Sequence, residues 1–321
     1  KRNGKVKEYH KNGVLKFEGE YLNGKRNGKV KEYYDNGKLK FEGEYLESKR
    51  KGKGKEYNYY GILEFEGEYK DDERNGKGKE YYTNGKIEFE GEYLNGQRWN
   101  GKGYNKNGIM DFEIEDGKGI VKEYYKDCKL QFEGEYLNGK RNGKGKKYNF
   151  DGKLEFEGEY LNGKRNGKGK EYIYSDEILF EGQYIDDERN GEGKEYNYYY
   201  QIIFEGEYLK GKKWNGNEKK YYDRGKLEFE IEYIRGQRNG KGKEYYICGG
   251  LKFEGEYLNA QRWNGKGYNI NGIMDFEIKD GKGKGKEYYK DGKLEFEGEY
   301  LNGKRNGKVK EYHKNGVLKF E

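Results

Sequence analysis

The residue types that most often perform catalysis are scarce in this sequence or are spread evenly along it. The only two histidines, His10 and His313, occupy the same position of one repeated stretch, which gives no support for histidine catalysis or a histidine metal cluster. Glutamates are abundant, but Glu42 and Glu44 belong to a segment, FEGEY, that recurs along the chain. An active site normally interrupts a pattern, so the sequence predicts a protein that is not an enzyme, with no catalytic residue, metal site or cofactor.

Two other segments resemble binding motifs without meeting their structural requirements. The run GKGKGK from Gly281 to Lys286 is rich in glycine and lysine, but a phosphate loop needs a strand-to-helix junction and no helical periodicity follows. Lysine beside tyrosine is typical of nucleic-acid binding. The interleaved glutamates oppose it, because a phosphate would meet both signs of charge, and we therefore expect no nucleic-acid partner.

The composition indicates an ordered chain with a thin core. Apolar residues are only 31% of the sequence and charged residues 40%, whereas aromatic residues reach 17% with 37 tyrosines. Disordered chains are poor in aromatic residues, and here they are evenly spaced. The net charge of +7 comes from 67 basic and 60 acidic residues mixed at short range. No apolar stretch approaches the roughly 20 residues that a membrane helix needs.

A Phe-Glu pair recurs through the whole sequence, usually every 24 residues. Most copies extend to FEGEY, and the phenylalanines stand at positions 17, 41, 65, 89, 112, 132, 156, 180, 204, 229, 253, 276, 296 and 320. We interpret residues 1–321 as one continuous array of about 13 repeats with no separate globular domain.

Each repeat has the pattern of a β-hairpin. Segment KLKFEGEYL alternates, with Phe41, Gly43 and Tyr45 on one face and Glu42 and Glu44 on the other. Segments such as DNGK carry the residues of a tight hairpin turn, and we expect the other connection, LNGKRNGK, to be longer. The chain contains no proline, so every strand residue keeps the backbone N–H that can donate to a neighbouring strand. The prediction is an all-β fold, an elongated, twisted, single-layer antiparallel sheet of tandem β-hairpins.

The second strand, GKGKEYY, has no clean apolar face. Because the first tyrosine of its pair recurs, we predict that Tyr33 packs on the face of Phe41, with a bulge near the glycines. On the opposite face the glutamates of one strand should lie beside the lysines of the next. One layer leaves the aromatic face open, so we expect another surface to help cover it.

The unit FEGEYLNGKRNGKGKEYYDNGKL resembles the MORN repeat (membrane occupation and recognition nexus) over essentially the whole chain. Its end, YYDNGKL, is similar to the variant repeats of bacterial antitoxin-like proteins. The resemblance implies β-hairpin repeats in an elongated sheet, used mostly as scaffolds that self-associate and organise cytoskeletal, ciliary or membrane-associated assemblies. Lipid binding is also attributed to this family.

Two stretches depart from the repeat in the same way, QRWNGKGYNKNGIMDFEIEDGKG from Gln97 and QRWNGKGYNINGIMDFEIKDGKG from Gln261. Each inserts a tryptophan, Trp99 or Trp263, replaces a strand glycine by isoleucine, and shortens a loop to Asp-Gly. They are either periodic partner sites or packing variants. The packing interpretation is favoured because Trp214 has the same WNG context without the shortened hairpin.

The leading functional hypothesis is a non-enzymatic scaffold that self-associates or polymerises into an extended assembly through its aromatic face or ends. Its partners would be copies of itself and other scaffold proteins, in a cytoplasmic, cytoskeletal or membrane-associated setting. One alternative is a peripheral membrane adaptor that binds anionic lipid through basic loops, and another is an antitoxin-like binding module. Candidate interaction or packing residues are Trp99, Trp214, Trp263, Phe41, Tyr45 and Tyr33. Candidate basic loop tips are Lys25, Arg26, Lys140, Arg141, Lys164 and Arg165.

Residues 1–18 and 304–321 are identical. Such a repeat above the hairpin repeat predicts that the sequence is a fragment of a longer array. We expect either that the array continues past Glu321 with residues like Gly19 onward, or that the chain belongs to a polymer whose repeated segment overlaps itself.

Overall fold

The regular structure of the chain is antiparallel β-sheet, which confirms the predicted fold class. A computed structural model describes residues 2–173 and 177–321, and within those ranges it contains no helix. The chain divides into two compact units, residues 1–164 and 165–321. Consecutive strands form antiparallel hairpins.

The first unit contains fourteen strands, and β1 to β10 form one sheet in chain order. The strands are β1 Gly4–Tyr9, β2 Leu15–Leu22, β3 Lys25–Tyr33, β4 Leu39–Leu46, β5 Lys49–Tyr57, β6 Leu63–Lys70, β7 Glu73–Tyr81, β8 Ile87–Leu94, β9 Gln97–Tyr104, β10 Met110–Ile114, β11 Gly119–Tyr124, β12 Leu130–Leu137, β13 Lys140–Tyr148 and β14 Leu154–Leu161.

The second unit contains the remaining fourteen strands, and β25 to β28 form a separate four-stranded sheet. Its strands are β15 Lys164–Ile173, β16 Glu177–Ile185, β17 Glu188–Tyr196, β18 Ile202–Leu209, β19 Lys212–Tyr221, β20 Leu227–Ile234, β21 Gln237–Tyr245, β22 Leu251–Leu258, β23 Gln261–Tyr268, β24 Met274–Ile278, β25 Gly283–Tyr288, β26 Leu294–Leu301, β27 Lys304–Tyr312 and β28 Leu318–Phe320.

The two kinds of turn have lengths opposite to those predicted. Only Asn23 and Gly24 separate β2 from β3, and both have positive φ, 54° and 84°. Two such residues match the twist of the flanking strands. The connection that contains Asp-Asn-Gly, residues 34–38, has five residues, and the Tyr34 amide donates to the Lys38 carbonyl at 2.9 Å. Asn-Gly occurs in both segments, so the dipeptide alone did not distinguish them.

The pairing of β3 with β4 shows the register that recurs along the sheets. Lys31 lies opposite Glu42 and Lys29 opposite Glu44, as the charge pattern predicted, and the register shifts between Glu32 and Tyr33. Opposite charges therefore neighbour each other across the strands. Lys79 and Glu90 form such a cross-strand ion pair at 2.9 Å.

The phenylalanines of the repeat are buried by the chain's own side chains. Phe41 is fully buried and Tyr45 nearly so. The rings of Tyr45 and Tyr69 stand edge-on to Phe41, and the Arg50 guanidinium lies 4.1 Å from its centroid. A side chain at Gly43 would meet the Phe41 ring at 2.6 Å, so the strand glycine is needed there. The expectation that another surface covers the aromatic face is wrong for this ring.

The sheet ladder is interrupted at the two unusual hairpins. Between β10 and β11 only the bridge Glu115–Lys118 remains, and Lys279–Lys282 is its counterpart between β24 and β25. Turns that are not adjacent along the chain come together here: the Thr83 hydroxyl donates to the Lys126 carbonyl at 3.2 Å, although residues 105–109 form a turn between them in sequence. In the second unit the Ile247 amide likewise donates to the Lys290 carbonyl at 3.2 Å.

Candidate interaction surfaces

The arginine that follows most two-residue turns belongs to a strand and not to a loop tip. Arg26 lies opposite Tyr21, on the face of Phe17, and its guanidinium is 4.0 Å from the Phe17 centroid. It also forms ion pairs with Glu8 at 2.9 Å and Glu32 at 2.6 Å. Arginine thus stacks on an aromatic face while carboxylates satisfy its donors.

The other predicted tip arginines are placed in the same way. Arg141 lies 4.2 Å from the Phe132 centroid and pairs with Glu123 at 2.7 Å. Arg165 pairs with Glu171 at 3.0 Å and lies over the Tyr184 ring. The prediction that these arginines form exposed basic tips is therefore wrong, because the tight turn is too short to hold them.

The lysines of the predicted tips are exposed, but one already pairs with an acid. Lys25, Lys140 and Lys164 are each the first residue of a strand and lie on the surface. The Lys25 ammonium lies 2.9 Å from the Glu47 carboxylate of the next tight turn. Lys49 similarly lies 3.6 Å from Asp71. The tight-turn edge therefore carries both signs of charge and not a purely basic row.

Tyr33 lies on the charged face, which corrects the prediction that it packs with Phe41. Its hydroxyl donates to Glu18 at 2.7 Å, and Glu18 points away from its neighbour Phe17 because adjacent strand residues alternate. Partial burial and the Glu18 carboxylate raise the pKa of Tyr33 to about 12. One register shift lies beside Tyr33. A second lies between Gly43 and Glu44, where β4 pairs with β5, near the glycines as the pattern predicts.

The second position of the tyrosine pair contributes buried residues that sequence reasoning missed. Tyr82 is 3% exposed and Tyr246 fully buried. Their hydroxyls donate to the carbonyls of Tyr104 and Tyr268, each at 2.7 Å. These bonds link neighbouring five-residue turns. The position varies among His10, Tyr34 and Asn58, which hid its structural role.

A groove of 780 Å³ crosses β3 to β8 on the charged face. Its floor is strand backbone at the central glycines, and two columns of alternating charge form its walls. One column is Lys31, Glu42, Lys55, Glu66, Lys79 and Glu90, and the other is Lys29, Glu44, Lys53, Glu68, Lys77 and Glu92. Fixed charges of both signs suit a polypeptide surface better than a polyanion. Nowhere in residues 2–173 and 177–321 do three or more His, Cys, Asp or Glu residues form a group able to hold a metal ion.

The three tryptophans differ in how tightly they pack. A side chain at Gly117 would lie 2.8 Å from the Trp99 ring, and one at Gly281 would lie 2.6 Å from Trp263. Both indole rings therefore pack against the shortened turn. The corresponding distance from Gly236 to the Trp214 ring is 3.7 Å, and a 550 Å³ cavity opens beside it. That cavity is lined by Leu209, Lys210, Lys212, Lys213, Trp214, Tyr233 and Gly236.

A buried ionic cluster lies next to each unusual hairpin. In the first unit Arg98 bonds to Glu80 and lies 2.6 Å from Glu88. Burial, despite Arg98, raises the pKa of Glu88. In the second unit Arg262 pairs with Glu244 at 2.6 Å, and the position of Glu88 is taken by Lys252. Burial opposes ionisation of Glu244, but the attraction of Arg262 outweighs it and lowers the pKa of Glu244 to about 2.

An aliphatic residue is exposed at the end of most strands that precede a two-residue turn. The preceding tyrosine faces the core, so this residue points to the other face. Their side chains are 37–56% exposed, and the set consists of Leu22, Leu46, Leu94, Leu137, Leu161, Ile185, Leu209, Ile234, Leu258 and Leu301. We call this set the aliphatic row. Successive members within a sheet lie about 9 to 10 Å apart, two strand spacings.

The fold and these surfaces define a tandem β-hairpin repeat protein. The family model described as MORN repeat variant matches residues 2–23, 26–47, 214–235, 282–302 and 305–321. The model described as MORN repeat matches residues 41–58, 65–87, 132–153, 156–175, 180–197 and 232–247. The two together match more than half of the chain, which belongs to the MORN-repeat family.

Comparisons with individual proteins add little to this assignment. No curated protein matches the chain. Among solved structures, a crystal structure of TcdB2-TccC3-Cdc42 is 9% identical, with a TM-score of 0.17, over 92% of this chain and 18% of that chain. A crystal structure of TcdB2-TccC3 is 10% identical, with a TM-score of 0.18, over 98% and 18%. The chain therefore spans about 18% of the length of these structures, and scores this low carry no argument about fold or function.

MORN repeats indicate a repeat-based scaffold that interacts with proteins or membranes, and the family is in general non-enzymatic. Members are often membrane-associated. In the part of the chain that the structure describes, no helix is long and apolar enough to cross a membrane.

Proposed function

We propose that this protein is a non-enzymatic scaffold that associates with copies of itself into an extended assembly and organises other proteins on it. The observation that carries the proposal is the aliphatic row, which is half-exposed in both units and recurs with the hairpin repeat. Scattered exposed aliphatic side chains are ordinary, but a regularly repeated set is typical of an interaction surface.

The surface proposed for association differs from the one suggested by the sequence pattern. Phe41 and Tyr45 are buried beneath Arg50 and neighbouring rings, so they are poorly placed to meet a partner. The aliphatic row and the charged groove are accessible, and both repeat with the hairpin period. Because these surfaces repeat with the same spacing in every copy, two copies can match along them. This favours a copy of the chain as one partner.

The proposed setting is cytoplasmic, with cytoskeletal or membrane-associated structures as the sites of assembly. Cys128 and Cys248 are free thiols, which supports a reducing compartment. Anionic lipid is the less favoured partner, because the arginines of the repeat are engaged by glutamates and aromatic rings. Co-flotation with vesicles containing phosphatidylserine at physiological salt would reverse that preference.

Self-association is tested by sedimentation velocity and negative-stain imaging of the purified chain over a concentration series. We expect the average mass to rise with concentration, and extended particles to form at high micromolar protein. Replacing Leu46 and Leu94 with glutamate should weaken association. Lys70→Glu serves as the control, because β6 already ends in a charged residue where the other strands carry an aliphatic one. A monomer throughout the series would contradict the proposal.

A further inference from the structure

A cavity lies beside Trp214 on the tight-turn edge of the second unit. Its floor is apolar, formed by Trp214, Tyr233 and the half-exposed Leu209. Trp99 and Trp263 close against glycines at the corresponding places, whereas Trp214 stands back from Gly236. At 550 Å³ the cavity has room for a branched aliphatic side chain.

The rim of this cavity is basic. Lysines 210, 212 and 213 line it, with no carboxylate among the lining residues. Lys213 is engaged by Glu195 at 3.0 Å. Lys210 and Lys212 form no ion pair with any residue that the structure describes, unlike Lys25 and Lys49 in the first unit. A fitting occupant therefore brings a bulky apolar side chain together with carboxylates.

The chain itself contains such a segment in the neighbouring tight turn, Ile185-Asp186-Asp187-Glu188. Ile185 is 52% exposed, and Glu188 has no ion pair within the described ranges. Asp187 already lies 3.4 Å from Arg165, and Asp186 also takes part in an interaction within the chain, so Glu188 is the carboxylate of the turn that is most open to a second copy. The only similar turn in the sequence, Lys70-Asp71-Asp72-Glu73, has lysine in place of the isoleucine.

This turn is held beside the cavity of its own molecule and not over it. The Gly211 amide donates to the Arg189 carbonyl at 2.9 Å, and the Lys210 amide donates to Asn190 at 3.2 Å. These bonds hold the two turns side by side. The turns are about 10 Å apart, which is the spacing of one hairpin repeat. The acidic turn of one molecule and the cavity of another can meet across a two-fold axis, which makes both contacts in one interface.

We propose that the cavity beside Trp214 receives the Ile185–Glu188 turn of a second copy, and that two copies exchange these contacts symmetrically. Ile185 fills the apolar floor, and the carboxylates of the turn lie between Lys210 and Lys212. This inference rests on the proposed self-association and assigns it a surface and a partner segment.

The test uses charge reversal in the full chain. One variant carries Lys210→Glu with Lys212→Glu, and the other carries Asp186→Lys with Glu188→Lys. Each alone places like charges in both contacts of a symmetric pair, so the dissociation constant should rise about ten-fold or more. An equimolar mixture restores opposite charges in both contacts, so sedimentation velocity should show wild-type association in the mixture.

Two controls keep the test specific. Asp71→Lys with Glu73→Lys reverses the acidic turn that lacks the isoleucine, and it should associate like the wild type. Trp214→Ala should weaken association without a charge change, with circular dichroism confirming the β-sheet of every variant. Wild-type association in both charge-reversed variants, or a mixture no stronger than its components, would overturn the inference while leaving self-association intact. A wild-type chain that stays monomeric would instead contradict the proposed function.

Discussion

At the residue scale, the chain keeps charged groups directly beside its aromatic core. The guanidiniums of Arg26, Arg50 and Arg141 lie 4.0–4.2 Å from phenylalanine centroids, and glutamates of the same and adjacent hairpins accept their hydrogen bonds. Burying an arginine is costly unless its charge is paired. Each hairpin depends on its neighbour for that partner, which couples the repeats.

The carboxylates of the two buried ionic clusters should affect the pH dependence of stability in opposite directions. Burial raises the pKa of Glu88 above its usual 4.5, against the opposing attraction of Arg98 and with added repulsion from Glu80 and Glu123. A raised folded-state pKa gives a contribution to stability that is present below pH 4.5 and lost as pH rises through the folded value. Glu88→Gln should therefore raise the free energy of unfolding at pH 7, within the range of about 0.5 to 3 kcal/mol common for single substitutions, and change it little at pH 4.

Glu244, the carboxylate of the second cluster, serves as the contrasting case for Glu88. Its pKa is lowered from 4.5 to about 2, so its contribution is present above pH 4.5 and lost as pH falls through about 2. Glu244→Gln should lower the free energy of unfolding at pH 7 by about 3 kcal/mol. Thermal denaturation of both variants across pH 4 to 8 measures the effects. A loss of stability at pH 7 in both variants would show that the charge of Glu88 is well compensated.

At the scale of elements, the shortened hairpins decide where a sheet ends. Trp99 closes against the turn at Gly117, and Ile114 is buried at the end of β10, where the ladder to β11 is reduced to one bridge. The packing role of Trp99 and Trp263 follows from these contacts. Trp214, in a full-length hairpin, leaves a cavity instead.

Alanine substitutions at two glycines distinguish the effect of packing from that of backbone strain. Gly117 and Gly96 both have positive φ, 69° and 78°. A side chain at Gly117 would lie 2.7 Å from the Gly139 backbone nitrogen and 2.8 Å from the Trp99 ring, whereas Gly96 has nothing within 4 Å. Gly117→Ala should therefore be less stable than Gly96→Ala by about 1 to 3 kcal/mol, the usual range for overpacking. Urea denaturation measures the difference, and equal losses would mean that the Trp99 ring and the Gly139 backbone both move aside at little cost.

At the scale of the whole molecule, most strand-to-strand contacts join neighbours in sequence. Arrays of this kind lose stability locally, because each repeat contacts only the repeats next to it. The chain divides into residues 1–164 and 165–321, so we expect a local loss of stability to stay within one of these two units.

Hydrogen exchange of paired variants tests how far a local change spreads. Gly117→Ala should raise amide exchange within residues 1–164 and change it little within 165–321, whereas Gly281→Ala should do the reverse. Mass spectrometry of peptic fragments provides the measurement. Exchange that rises equally in both units for either variant would indicate a chain that unfolds as one cooperative body.

By itself the sequence determined the repeat, the all-β class, the antiparallel hairpins and the lysine–glutamate register, because these follow from alternation and short-range pairing. Tertiary structure alone decided the turn lengths, the face of Tyr33 and the position of Arg26. The alternation of side chains between the two faces breaks at a register shift, which places Tyr33 on the charged face. Because the turn before Arg26 has two residues and not the longer loop that the pattern suggested, Arg26 lies in the strand. The cavity at Trp214 also needed coordinates, since its difference from Trp99 lies in the distance to a facing turn.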